Sequence, residues 1–227
     1  PPLPETSVGG WAPPSPRSSL LRHRLSRLRP LKGASRTRDP MLLRGVSDMQ
    51  RVYVGRVWKF GSGVTTDDIL PGQYLDRSND EVGSFAMAGI DPEFTRKLQG
   101  GDIIVAGQNF GAGSGRETAV LAIKQAGIPV VVAESFARVF FRNAINNGLI
   151  PVVAPTTASL KPGSELRVDI GERVIEDLTT GERLPILNLA GISLSILQAG
   201  GIVPFTQQRL AERSQQSQNC GQFHSSS

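Results

Sequence analysis

The stretch from Asp102 to Glu134, DIIVAGQNFGAGSGRETAVLAIKQAGIPVVVAE, constrains the fold more than any other part of the chain. A β-branched run (Ile103, Ile104, Val105) leads into a glycine-rich turn, Phe110-Gly-Ala-Gly-Ser-Gly-Arg-Glu117. The spacing predicts a helix from about Glu117 to Ala126, ended by Gly127, and then a second apolar strand over Val130–Val132. Strand, glycine turn, helix and strand make a βαβ unit. Such a turn presents free backbone N–H groups and the positive end of a helix dipole, a natural anion site. Ser114 and Arg116 stand in it.

The histidine and cysteine inventory narrows what can be done to that anion. His23, His224 and Cys220 all lie in the tails, so Val52–Phe205 contains neither residue type. Zinc sites, Ser-His-Asp triads, cysteine nucleophiles, disulfides and a self-contained iron–sulfur cluster are thereby excluded from the core. Catalysis there must use Ser, Tyr, Lys, Arg or carboxylates, or a metal supplied from elsewhere. The net charge of +5 points to no nucleic-acid partner, because residues 1–51 hold ten Lys/Arg against three Asp/Glu, and the rest holds fifteen against seventeen. No stretch approaches the roughly 18–20 apolar residues of a membrane span. The expectation is a soluble protein of a reducing, cytoplasmic compartment.

Residues 1–40 are rich in Pro, Ser and Arg, with acids only at Glu5 and Asp39. The composition predicts a disordered leader over 1–50. It is similar to an organellar transit peptide, or it is sequence translated ahead of a start at Met41 or Met49. Structure is expected over 51–205, opening with a strand around Val52, Val54 and Val57 that is interrupted or bent at Gly55. A Gly-, Thr- and Asp-dense loop follows (60–75), of the kind that is often functional. Asp91-Pro-Glu93 reads as a helix start. Ser135 reads as the N-cap of a helix to about Asn146, ended at Asn147-Gly148. Leu149–Val153 reads as a strand, and Glu165–Ile170 with Arg173–Leu178 as a hairpin, followed by a turn at Thr180-Gly181. A short helix near Ser193–Gln198 and a last strand-like Ile202-Val203 complete the domain, and 206–227 reads as a disordered tail.

Two readings compete for the glycine turn. As a dinucleotide fingerprint, Gly111-Ala-Gly113 opens a helix, and Glu134 ends the next strand about 20 residues on, where a ribose-binding acid would sit. Against this, the third glycine position is Arg116, too bulky for close helix–strand packing. As a carboxylate site, Arg116 offers a guanidinium fork, and Ser114 sits among donors that stabilise a developing alkoxide. A purely structural alternative has Ser114 capping the helix and Arg116 paired with Glu117 or a neighbouring acid.

Phe110-Gly-x-Gly-Ser-x-Arg-Glu117, the helix after it and Ala133-Glu-Ser-Phe-Ala-Arg138 closely resemble the swivelling domain of the aconitase family, and more narrowly its separate 3-isopropylmalate dehydratase small subunits. Thr65-Thr-Asp-Asp-Ile-Leu-Pro-Gly-Gln-Tyr-Leu75 and Phe141-Arg-Asn-Ala-Ile-Asn-Asn-Gly-Leu149 are similar to two further family motifs, in collinear order. The resemblance implies an α/β swivelling domain of β/β/α type with part of its sheet curled into a barrel. It implies a hydro-lyase that isomerises a small 2-hydroxy dicarboxylic acid by dehydration and rehydration. A large partner subunit would carry a 4Fe-4S cluster, none being bound by this chain alone. By the motif, Ser114 takes the base position and Arg116 the carboxylate-binding position. Thr66 and Asp67 fall on the active-site loop, with Asp67 counted as catalytic, and Gly113 and Gly115 line the substrate side of the turn.

Two departures bear on activity. The family pattern has Ser-Ser-Arg-Glu where this chain has Ser114-Gly115-Arg116-Glu117, which removes a hydroxyl donor worth about 1 kcal/mol. The residues after Tyr74-Leu75 help choose the substrate's side group, and Asp76-Arg77 fits neither an extra carboxylate nor an isopropyl group cleanly. Homoaconitase-type and dimethylmalate-type small subunits are therefore alternatives, and a dinucleotide-binding module is the alternative from another class.

Overall fold

The computed structural model describes residues 52–222, with side chains through Ser214. The leader expected over 1–50 lies outside the described residues. Strand β1 (Val52–Lys59) is shared by two half-sheets. Its first part, Val52 to Arg56, pairs antiparallel with Asp169 to Glu165, and its last part, Val57 to Lys59, pairs parallel with Ile103 to Val105. Of the interruption or bend expected at Gly55, the interruption does not occur: β1 runs unbroken through Gly55 and changes partner just after it. The role of Gly55 is close approach: a Cβ there would stand 1.9 Å from the carbonyl oxygen of Gly101. That crossing seats buried Asp102 against Arg56 Nη2 (2.9 Å), Trp58 Nε1 (2.7 Å) and the Gln99 amide (3.0 Å).

The seven strands run in the order β4-β3-β2-β1-β5-β6-β7. The parallel half is β2 (Ile103–Ala106), β3 (Val130–Ala133) and β4 (Ile150–Val153) with the end of β1. Every residue of β2 and β3 is buried because both faces of this half are covered. Outward-facing Ile104, Val131 and Ala133 pack with Val120 and Ile123 of α3 (Glu117–Gln125) and Phe140 and Ala144 of α4 (Arg138–Asn147). Inward-facing Val57, Val105, Val132 and Val152 meet Leu166, Val168, Ile175 and Leu184 of the antiparallel half. That half is β5 (Glu165–Asp169), β6 (Val174–Asp177) and β7 (Arg183–Pro185). Past β7 the chain returns to β4. Leu187 N donates to Val153 O (2.9 Å), Asn188 Oδ1 accepts from Val153 N (2.8 Å), and Asn188 Nδ2 donates to Pro151 O (2.6 Å). The sheet is thus curled into an almost closed barrel, as the resemblance implied.

The βαβ unit, the Gly127 and Gly148 helix ends, β4 and the β5–β6 hairpin stand where the sequence placed them. Four details differ. β7 was not anticipated, the expected turn at Thr180-Gly181 lying just before it, since a three-residue strand ending in Pro carries little pattern. Ser135 caps no helix: Ala137 is the N-cap of α4, and Ser135 Oγ accepts from the Asn109 amide (2.9 Å). Ile202-Val203 opens helix α6 (Ile202–Gln222) rather than a strand, following α5 (Ile192–Gln198). The polar stretch from Thr206, expected to be a disordered tail over 206–227, continues α6 as far as Gln222, and residues 223–227 lie outside the described residues.

Asp169 closes the β5–β6 turn by accepting from the Glu172 amide (2.9 Å) and Arg167 Nη2 (2.6 Å). The backbone hydrogen bond first, and then the guanidinium charge, hold its carboxyl below the ordinary carboxylate range. A depressed folded-state value contributes stability above about pH 4 that is lost as pH falls through the folded value. Asp169→Asn is expected to flatten the acid limb of a urea-unfolding series measured against pH. Gly55→Ala is expected to cost about 3 kcal/mol, measured as a lowered urea midpoint, because backbone must move at both Gly55 and Gly101.

Candidate active site

Two loops are joined by backbone hydrogen bonds to make the site. Val64 O accepts from Gly111 N (2.8 Å) and Ala112 N (3.2 Å), and Thr66 N donates to Ala112 O (2.8 Å). On one side the loop ends in a four-residue helix, α1 (Thr66–Ile69), started by a capping box: Asp68 N donates to Thr65 Oγ1 (3.1 Å) and Thr65 N to Asp68 Oδ2 (2.8 Å). On the other side the turn is anchored by Phe110, fully buried and edge-on to Phe140 at 5.3 Å. Gly111 has φ +80, and a Cβ there would stand 2.2 Å from Phe140 Cγ, so only glycine passes over that ring.

These anchors bring Asp67, Ser114 and Arg116 together. Arg116 Nη2 donates to Asp67 Oδ1, forming an ion pair between a guanidinium that is 20% exposed and a carboxylate that is 70% exposed. So open a pair contributes little to stability and is free to exchange partners. Arg116 Nε is buried and makes no hydrogen bond. Arg116 is also the N-cap residue of α3 and supplies no side-chain cap bond, so the first N–H groups of that helix remain open. Ser114 is exposed and does not cap α3. The structural alternative is half realised: Arg116 does pair with an acid, but with Asp67, while Glu117 accepts from Asn147 Nδ2 (2.7 Å). An exposed hydroxyl, a guanidinium and the free amides of a helix start thus lie within one short turn, residue types suited to gripping an anion beside a basic oxygen.

The other expected residues divide. Gly113 and Gly115 flank Ser114 on the exposed turn. Thr66 lies beneath it at 1% exposure, its hydroxyl without a partner and 3.4 Å from where a Gly113 Cβ would stand. Asp76 and Arg77 are exposed in the turn after the 3-10 helix Gly72–Tyr74, with the Arg77 guanidinium 5.9 Å from the Phe85 ring. No hydrogen bond, ion pair or ring contact among the described residues joins them to the glycine turn. Glu134, the ribose-binding residue of the dinucleotide reading, instead accepts from the Thr157 amide (3.0 Å) and so pins the loop after β4.

Sequence reasoning missed two neighbours on α4. Asn143 Nδ2 donates to Gly115 O (3.1 Å), and Val139 lies against Gly115, where a Cβ would stand 2.8 Å from Val139 Cγ1. Asn143 and Asn147, two poor helix formers one turn apart on a single helix, were the available signal.

Residues 65–157 match the aconitase C-terminal domain. The chain is 48% identical over 167 residues to the isopropylmalate/citramalate isomerase small subunit of Methanocaldococcus jannaschii, covering 72% of this chain and 99% of that one. It is 46% identical over 168 residues to the 3-isopropylmalate dehydratase small subunit of Aquifex aeolicus, covering 73% and 100%. The methanogen homoaconitase small subunit of Methanothermobacter thermautotrophicus is 47% identical over 156 residues, covering 68% and 91%. A crystal structure of 3-isopropylmalate dehydratase from M. jannaschii superposes with a TM-score of 0.71 at 44% identity, covering 73% of this chain and 99% of that one. Barrel and glycine turn are thus those of an aconitase-type C-terminal domain. Within that class, the chain belongs to the 3-isopropylmalate dehydratase small-subunit family.

The missing second serine has a local physical counterpart. Gly115→Ser is expected to cost about 1 kcal/mol through the contact with Val139, and Val139→Ala is expected to relieve most of it. A double-mutant cycle on urea midpoints measures that coupling.

Proposed function

We propose that this chain is the small subunit of a heteromeric hydro-lyase, acting on 3-isopropylmalate together with a large subunit. The observation that carries the reading is the Arg116–Asp67 pair at the open start of α3, two residues from exposed Ser114, on two mutually bonded loops. Arg116 receives a substrate carboxylate in exchange for Asp67, whose exposed side chain is then released to the solvent side of the site. Ser114 Oγ, as the alkoxide, takes the proton from the carbon next to that carboxylate. The C–H electron pair forms a carbon–carbon double bond as hydroxide departs from the neighbouring carbon. Rehydration with the two positions exchanged gives the isomer. The amides at the start of α3 stabilise the alkoxide, which is how a serine serves as a base without histidine.

The departing hydroxide needs a Lewis acid, and an iron–sulfur cluster on the large subunit supplies that chemistry in this reading. The residues of this chain do not fit such a group. Val52–Phe205 has no cysteine or histidine, and no cluster of metal-binding side chains occurs among the described residues. The dinucleotide alternative loses both of its requirements, since Arg116 occupies the third glycine position and Glu134 is tied to Thr157. A second substrate reading is favoured by the homoaconitase relative, which is as similar to this chain as the isopropylmalate relatives are.

Mixing the chain with a cluster-bearing large subunit and following the unsaturated product from 3-isopropylmalate and from homocitrate tests the assignment. Turnover of neither would overturn it. Ser114→Ala is expected to lower kcat by roughly 10³-fold with subunit association unchanged, and full turnover would remove Ser114 from the base role. Arg116→Lys is expected to raise KM about tenfold, on the order of 1.4 kcal/mol of carboxylate binding.

A further inference from the structure

The turn that carries Ser114 is secured at its two ends and almost nowhere between. Gly111 and Ala112 are tied to Val64 and Thr66, and Glu117 begins α3. Glycines at 111, 113 and 115 leave the intervening backbone intrinsically loose, with φ +80 and +95 at the first two. Outside helices and strands, the backbone of Gly113, Ser114 and Gly115 makes one hydrogen bond among the described residues. Its carbonyl at Gly115 accepts from Asn143 Nδ2 at 3.1 Å.

Asn143 is itself rigidly held. It sits in the middle of α4, three residues after Phe140 and next to Ala144, both of which are buried in the core. One turn on, Asn147 Nδ2 donates to Glu117 Oε1 (2.7 Å) and to Asn143 O (2.9 Å), and Lys124 Nζ donates to Asn147 O. One turn back, Val139 packs against Gly115 from the same face. Val139, Asn143 and Asn147 therefore form one stripe along α4, facing the glycine turn and the first turn of α3.

We infer that Asn143 is a positioning residue for the reaction: its amide fixes the peptide after Gly115, and through it the direction of Ser114 Oγ and the Arg116 guanidinium. The inference rests on the dehydratase reading above. A base displaced by even about 1 Å from its target carbon loses roughly 100-fold in rate, whereas the substrate's grip on Arg116 changes less. Asn143 thus acts on kcat rather than on KM.

Two measurements on the full chain test this. In the isolated protein, 15N relaxation should show the Ser114, Gly115 and Arg116 amides dropping from an order parameter of about 0.85 to below about 0.6 in Asn143→Ala. Unchanged values would overturn the inference whatever the activity proves to be. In the complex with the large subunit, Asn143→Ala should lower kcat roughly 10- to 100-fold with KM within about threefold. Wild-type kcat with only a lower melting temperature would overturn it too, while an inactive wild type would instead count against the dehydratase reading. Asn143→Asp is the near-isosteric control. Its carboxylate repels the Gly115 carbonyl and has no proton to donate to it at neutral pH, so Asn143→Asp should lower kcat at least as far as Asn143→Ala does. Wild-type kcat in Asn143→Asp would leave no hydrogen bond for Asn143 to act through and would sink the inference.

Discussion

The exchange of backbone hydrogen bonds between Val64–Thr66 and Gly111–Ala112 is the interaction on which the site depends. Neither loop has regular structure of its own to fix it. Each takes its geometry from the other, and their union puts Asp67 within reach of Arg116. The arrangement stands on the parallel half-sheet, because the turn leaves the carboxyl end of β2, the usual location of ligand sites in α/β sheets. What the barrel contributes is rigidity at the base. Buried Phe110 and Phe140 clamp the turn's entry, so the freedom conferred by its glycines is confined to three residues around Ser114.

Local pattern made the βαβ unit legible because its signals agree: β-branched runs, a glycine turn, a periodic helix and a glycine stop all favour one structure. The curl of the sheet was legible only through resemblance. Closure depends on Asn188 imitating a strand edge against Val153 and Pro151, and no short-range pattern marks an asparagine for that task. β7 was missed because three residues ending in proline resemble a turn. Ile202-Val203 was misread because two apolar β-branched residues after Gly-Gly suit either a strand or a helix start, and here the helix runs on into a polar sequence.

At the site, residue types were legible and partnerships were not. Arg116 announced an anion, but its choice of Asp67 over the adjacent Glu117 is a tertiary event, set by where the 60–66 loop docks. Gly115 read as a deletion from the family pattern. In the folded chain it is a point of contact, lying beside Val139 and held by Asn143. Thr66 read as a ligand residue, and its hydroxyl is enclosed under the turn with no partner, a polar atom whose cost the fold tolerates beneath the position where Ser114 stands.

The stitching of β4 by Asn188 has a consequence for how such a chain survives before assembly. An open sheet ends in two rows of unmet donors and acceptors, which recruit neighbouring molecules into mixed aggregates. Here one row is stoppered by a side-chain amide and Leu187, and the other belongs to a strand of three residues ending in a proline that has no N–H to offer. A protein made as one half of an enzyme has to wait in crowded solution for its counterpart. These two blunted margins leave few unmet backbone groups on which the edge of a second copy could pair.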